Sequence, residues 1–409
     1  MPNRLPLDDV IICDFMWVMA GPASTRILAD YGATVVRIES PTRIDTARTL
    51  QPYLDNKLGP DSSGLFANCN AGKFGISLDL ANPASREVVY DLVRWADVVT
   101  ESFSPKAMRA WGFDYESLRK VNPSLIMLSS CLMGQTGPLA KIAGFGNMAA
   151  AIVGFHNLTG WPDRPPCGVF GAYTDYVAPR FTAMAILAAL DYRRRTGQGQ
   201  YIDQSQAECS IHFLGPAILD YTVNRRVGQR VGNSDPVFAP HGVYPADGQE
   251  HADDEWVAIV CRNDDDWLQL CSAMENKDLA HDSRFTTAAG RREHRESIDS
   301  SIAAWTRTRD AAALESLLQS RGVPSHQVQS SAAAYRDPQL EHRGHFVTLD
   351  HPTTGKFTVE GPRAKLSRTP ASVGRSAPTL GQDNQHVLEN ILGYNETQIS
   401  DLVASGALG

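Results

Sequence analysis

An α/β fold, with a large domain on a mainly parallel sheet and a smaller α+β domain after it, is what this 409-residue sequence predicts. Three observations carry that expectation. Short β-rich runs alternate with helical patterns from Val10 onward, and strands spaced by helices join into parallel sheets through right-handed crossovers. After about residue 220 the chain turns rich in Gly, Pro and charge before a second strand-and-helix pattern begins. A hydrophobic content of 43% is enough to bury more than one core.

The elements follow in order. "VIICDF" (Val10 to Phe15) has the continuous apolar character of a buried strand. "AGPASTRILADYGA" reads as a helix, with Pro22 in its first turn and Gly32 as its stop. "TVVRIE" is the next strand, and after a polar, irregular stretch "GISLDL" is another. In "NPASREVVYDLVRWADVV" the residues Val88, Val89, Leu92, Val93 and Ala96 share one helix face, and Asn82 with Pro83 marks its start. "SLIMLSS" (Ser124 to Ser130) is a further strand. Phe181 to Leu190 is an apolar, core-buried helix, with Arg193, Arg194 and Arg195 near its C-terminal end, where cations complement the helix dipole. "TGQGQ" then turns the chain. The stretch from Asn224 to Trp256 reads as a linker followed by a hairpin, "WVAIVC" and the helix from Asp266 open the small domain, and a short last helix runs near Asn384 to Leu392. Ligands in such sheets sit beyond the carboxyl ends of the strands. That directs attention to the segments after Phe15, Glu39, Val99 and Ser129.

A formal charge of -8 gives no general basic field, so nucleic acid is not expected as a partner. Asp8, Asp9 and Asp14 interrupt the region where a signal peptide needs an apolar run. No apolar run reaches the roughly 18 residues of a membrane span. The seven cysteines are widely spaced and lack a C-x-x-C pair, which fits a reducing cytoplasm rather than a disulfide framework or zinc knuckle.

Several patterns are set aside. "GFGNMA" (Gly144 to Ala149) imitates a dinucleotide fingerprint but follows no clear strand and reads as a loop. The acidic triplets Asp253, Asp254, Glu255 and Asp264, Asp265, Asp266 lack calcium-loop spacing. His342 and His345 have no supporting metal-ligand pattern, and neither G-x-S-x-G nor a P-loop occurs. What remains is the "AGP" turn, whose N–H groups suit an anion. Lys73, Lys106 and Arg109 fall near the expected ligand edge of the sheet. In "GAYTDYVAPRF", Asp175 ahead of an apolar helix with Pro179 just downstream is either a helix cap or a reacting group, and on those residues alone the cap reading leads.

Read together, the segments resemble the class III CoA-transferase family, which includes formyl-CoA, carnitine and benzylsuccinate CoA-transferases and is related to the α-methylacyl-CoA racemases. The resemblance runs through "VIICDFMWVMAGPASTRILADYGATVVRIESP", "NCNAGKFGISLDL", "WADVVTESFSPKAMRAWGFDYESLRKVNPSLIMLSS", "GQTGP", "GAYTDY", "ILAALDYRRRTGQGQYIDQS" and later "APHGVYPADG", "RFTTAAGRREHR", "GVPSHQV" and "DPQL". It implies a Rossmann-like large domain over residues 1–205, a linker over 206–235, a small α+β domain over 236–335, and a return linker with a C-terminal helix over 336–409. It also implies an interlocked homodimer.

The same resemblance makes Asp175 the catalytic aspartate, with acyl-CoA and a free carboxylic acid as substrates and no tightly bound cofactor. For CoA it points to Val18, Ala20, Arg37, Ser102, Phe103 and Lys141, with Arg37, Lys106, Arg109 and Lys141 as partners for the phosphates. Oxalate-using members carry glutamine at the position of Met19, a glycine-rich flap with no counterpart after Asn233, and an arginine where this chain has Ala110. A larger or more apolar acid is therefore expected, and Trp17, Tyr173 and Tyr176 are candidates to line its pocket. The racemases place a histidine where this chain has Phe145, and His156 is no evident substitute. That favours transfer over racemisation, and a noncatalytic subunit is the third reading.

Overall fold

The protein is described by a computed structural model over residues 4–247 and 255–408. Asp253 and Asp254 of the first acidic triplet lie outside the described residues. Two compact units are formed, one from residues 1–157, 168–228 and 338–409 and the other from 158–167 and 229–337.

The first unit is built on six parallel strands in the order β3-β2-β1-β4-β5-β6, the order of a doubly wound nucleotide-binding sheet. The strands are β1 (Ile11–Asp14), β2 (Thr34–Glu39), β3 (Phe74–Ser77), β4 (Val98–Glu101), β5 (Ile126–Cys131) and β6 (Tyr201–Ser205). Alternate residues feed two cores. Cys13, Val36, Ile76 and Val99 pack against helix α3 (Pro83–Trp95), whose apolar stripe is the one the sequence predicts. Ile12, Val35, Val98, Ile126 and Leu128 face helix α1 (Ala20–Asp30) and a long helix, Tyr173–Thr196. The outer edge of β3 is covered by the returning chain, because Asp383 accepts from the Gly75 N–H and Asn384 from the Ser77 N–H, each at 2.8 Å. A hairpin of β10 (Phe346–His351) and β11 (Gly355–Glu360) completes this unit.

The second unit carries the antiparallel sheet β7 (His241–Pro245), β8 (Trp256–Val260) and β9 (Ser325–Gln327), packed on Trp267, Leu270, Ile298, Ile302 and Leu314. No helix among the described residues is long and apolar enough to cross a membrane.

Several local expectations need correction. Asp175 is not the helix cap: Ala172 holds that position, and Asp175 is the third helical residue with Pro179 inside the helix. "GFGNMA" is not a loop throughout, because the helix Gly146–Val153 starts within it. "YIDQS" forms β6, residues 206–224 carry the helices Gln206–Ile211 and Gly215–Asn224, and a second C-terminal helix, Glu396–Ala404, follows the π-helical turn His386–Ile391. Lys73 is fully buried rather than at the ligand edge. Its ammonium donates to Asp14 Oδ2 at 3.0 Å, to the Pro22 carbonyl at 2.9 Å and to Asn70 Oδ1 at 3.0 Å, using all three protons.

Asp14, at the end of β1, also accepts from Thr25 at 2.7 Å, Thr100 at 3.0 Å and the Met16 N–H at 3.0 Å. One carboxylate thus ties β1, α1, β4 and the β3 entry together. A charge this deep is tolerated only because every acceptor position is used. Replacing Lys73 with Met leaves Asp14 without a counter-charge, and the urea midpoint is expected to fall by the equivalent of about 3–5 kcal/mol.

Candidate active site

The strand order reverses between β1 and β4, and ligands in open α/β sheets bind at that switch point. Two cavities open there, of about 210 and about 810 Å3, and share Trp17, Val18, Ser102 and Phe103 among their walls. The smaller one reaches Asp175 and Gln206.

Val18 sits at φ 67°, a left-handed conformation that costs a β-branched residue energy. It is held there by Asp45, whose carboxylate accepts the Val18 N–H at 2.9 Å. Asp45 is in turn paired with Arg37, which also donates to the Met16 carbonyl at 2.6 Å. Glu39 bridges Arg37 to Arg48, the latter at 2.7 Å. This buried network, with Arg48 stacked 3.7 Å over Phe66, sets the turn that leads into α1. Ala20 and Gly21, at the start of α1, belong to the first turn, whose N–H groups have no intrahelical acceptor. Both line the cavity that contains Asp175.

Asp175 is 6% exposed. Burial raises its carboxyl pKa to about 6, opposed by hydrogen bonds from the Gln206 amide and the Gly146 N–H. Gln206 Nε2 also donates to Thr174 Oγ1 at 3.0 Å, and Thr174 Oγ1 donates to the Gly146 carbonyl at 3.0 Å. Gly146 is required by contact: a Cβ there would stand 2.8 Å from Asp175 Oδ1. The carboxylate also lies in the first turn of its helix, where the dipole favours the anion.

Of the residues predicted for CoA, Val18, Ala20, Ser102, Phe103 and Lys141 share the Asp175 cavity. Lys106 and Arg109 are exposed and line neither cavity. Arg37 is a correction: it is 1% exposed, and four of its five N–H groups go to Asp45, Glu39, Asn70 and the Met16 carbonyl, so it is buried away from a phosphate. Its work is to hold Asp45, and through it Val18. Arg43, an exposed cation on the larger cavity, was missed. Gln206 was missed because the sequence reading assigns no strand to "YIDQS", although a residue just past a strand's carboxyl end is where a ligand group is sought. Gly146 went unseen because its segment was dismissed with the false fingerprint.

This fold is that of the CaiB/BaiF proteins: a crystal structure of a member from Brucella suis superposes with a TM-score of 0.87 at 30% identity, covering 95% of this chain and 100% of that one. Residues 7–384 match the family model for CoA-transferase family III, and the chain belongs to that family. It is an enzyme of this class, whose members take CoA thioesters as substrates. Similar curated proteins are the succinyl-CoA–D-citramalate CoA-transferase of Chloroflexus aurantiacus, 33% identical over 98% of this chain and 97% of that one. The succinyl-CoA:mesaconate CoA-transferase of Haloarcula hispanica is 35% identical over 97% and 99%. The succinate–glutarate CoA-transferase of Agrobacterium fabrum is 32% identical over 96% and 97%.

A carboxylate with a pKa of about 6 is mostly ionised at neutral pH, and protonation removes its lone-pair reactivity. The value of kcat/KM for an acyl-CoA is therefore expected to decline as pH falls through about 6, roughly tenfold per pH unit well below it. Gln206→Leu removes a hydrogen bond that favours the anion, so the same acid limb moves to higher pH. A pH–rate series on both proteins checks the sign.

Proposed function

We propose that the protein moves CoA from an acyl-CoA donor to a free carboxylic acid through covalent intermediates on Asp175. The observation that supports this most directly is that Asp175 is the one carboxylate among the described residues lining the smaller switch-point cavity, and it is ionisable near neutrality. In the first step an Asp175 oxygen bonds to the thioester carbonyl carbon, the C–S bond breaks and CoA thiolate leaves, giving a mixed anhydride. The thiolate then attacks the Asp175 carbonyl carbon, the donor acid departs as a carboxylate, and an aspartyl-CoA thioester remains. An incoming carboxylate reverses the two steps and leaves as the new acyl-CoA. No net proton is consumed. The Ala20 and Gly21 N–H groups are the candidates to receive the tetrahedral oxyanions.

In this reading CoA lies along the β1/β4 switch. Val18, Ala20, Ser102 and Phe103 hold its pantetheine arm, while Lys141 and Arg43 meet its phosphates. Racemisation needs an acid/base pair at the α-carbon. The other titratable groups on the Asp175 cavity are Lys141 and Cys131, whose thiol is pushed up to about 11 by burial, and Phe145 stands where the racemases carry histidine. That composition favours transfer. Succinyl-CoA as donor and a four- or five-carbon dicarboxylic acid as acceptor follow from the names of the similar enzymes.

A homodimer is the proposed assembly. Leu219, Tyr221 and Val223 on the Gly215–Asn224 helix are at least half exposed, that helix buries no residue, and Met184 and Leu187 are open on the Tyr173 helix. Large apolar side chains exposed in number on two helices favour an interface between copies. Incubation with succinyl-CoA followed by hydroxylamine trapping is expected to leave an adduct on Asp175 by mass spectrometry, and Asp175→Ala to lower transfer by about a thousandfold or more. Wild-type transfer by that variant sinks the mechanism. Light scattering is expected to give twice the 44.7 kDa chain mass, and a monomer overturns the assembly.

A further inference from the structure

Asp175 also borders a second, smaller cavity of about 50 Å3, shared with Met19, Arg26, Asp30, Tyr176, Arg180, Glu360 and Arg363. Met19 lines both this cavity and the one of about 210 Å3 at the β1/β4 switch, so it stands as the divider between them. The charges around the small cavity are unusual. Arg26 is 4% exposed and spends its terminal nitrogens on the Asn68 and Glu360 carbonyls, while its Nε and the Asp30 Oδ1, 3.5 Å apart, are buried without a hydrogen-bond partner. Arg363 pairs with Glu360 at 2.7 Å. Arg180 donates to the Tyr176 carbonyl of its own helix and forms no ion pair among the described residues.

Three arginines thus face three carboxylates, Asp30, Glu360 and Asp175. Two of the carboxylates, Asp30 and Glu360, are engaged by Arg26 and Arg363. Asp175 itself forms hydrogen bonds to Gln206 and Gly146 and no ion pair among the described residues. Arg180 is the cation left without an ion pair, since Arg26 and Arg363 have carboxylate partners. It lies five residues beyond Asp175 on the same helix, about 7.5 Å along the axis, within the span of a short dicarboxylic acid.

We propose that this small cavity is the subsite for the distal carboxylate of a dicarboxylic substrate, with Arg180 as its charge partner and the exposed Tyr176 hydroxyl as a further donor. The inference rests on the Asp175 transfer reading and adds the residue that selects diacids over monoacids. The apolar linker of the diacid lies against Met19, where a polar side chain would compete for the carboxylate. A free carboxylate arriving here gives Arg180 the ion pair it lacks. A monoacid leaves Arg180 unpaired.

The test compares glutarate with butyrate as acceptors from succinyl-CoA in wild type, Arg180→Gln and Arg180→Lys. The ratio of kcat/KM for glutarate to butyrate is expected to fall about tenfold or more in Arg180→Gln, the weight of one charge-assisted contact, and to recover in part in Arg180→Lys. A ratio that stays within about twofold of wild type overturns the subsite. Calorimetric titration of glutarate into the same proteins without any thioester reads the subsite separately. Arg180-dependent binding without turnover sinks the transfer reading and keeps the subsite. Turnover with Arg180-independent binding and an unchanged ratio does the reverse.

Discussion

The buried ion network behind the first strand is the constraint on which the site depends. Asp14 with Lys73, and Asp45 with Arg37, put four charges in the interior, each with its hydrogen-bonding capacity largely used. Such pairs add little net stability over apolar residues of the same shape. Their value is geometric: a charge in a dry interior tolerates one arrangement of partners, and those partners are the ends of β1, β4 and α1 and the entry to β3. The strained Val18 turn persists because Asp45 captures its N–H, and that turn delivers Ala20 and Gly21 to the cavity.

A second balance is set at Asp175. Burial alone would keep the carboxyl neutral and inert, whereas a fully solvated carboxylate would be weakly nucleophilic and open to hydrolysis of whatever it carried. The Gln206 and Gly146 donors offset part of the burial, so the group stays an anion at neutral pH while water is largely excluded. The closed set Gly146, Thr174, Asp175 and Gln206 draws on three separate elements, which is why no single stretch of sequence announces it.

The parallel sheet was legible because its strands are buried on both faces and therefore read as continuous apolar runs, as in "VIICDF" and "SLIMLSS". β6 was not, since "YIDQS" is polar and lies at the sheet edge with Tyr201 40% exposed. The helix Glu396–Ala404 escaped notice although Asn395 and Gln398 form a capping box, a signal that spacing alone carries. Val18, Ala20, Ser102, Phe103 and Lys141 were drawn together by the resemblance, and they do share one cavity. Arg37 was misjudged because a basic residue at a strand end looks the same in sequence whether it faces a phosphate or, as here, an aspartate eight residues on. Burial is the property that separates the two, and it belongs to the fold.

The long helix that carries Asp175 explains why its first turn needs outside support. Pro179 has no N–H to return to the Asp175 carbonyl, so the ladder is broken one turn in. Farther along, the helix is fixed by Arg193, which donates to Asp97 Oδ1 at 2.6 Å, and by the packing of Ile186, Ala189 and Leu190 against the sheet. The first turn lacks that anchorage and is held through side chains instead, by Thr174 on the Gly146 carbonyl and Gln206 on Asp175. Protonation of Asp175 weakens its attraction for the Gln206 donor. The Gln206 bond to Thr174 does not depend on that charge, so it keeps the turn in register in either form of the carboxyl.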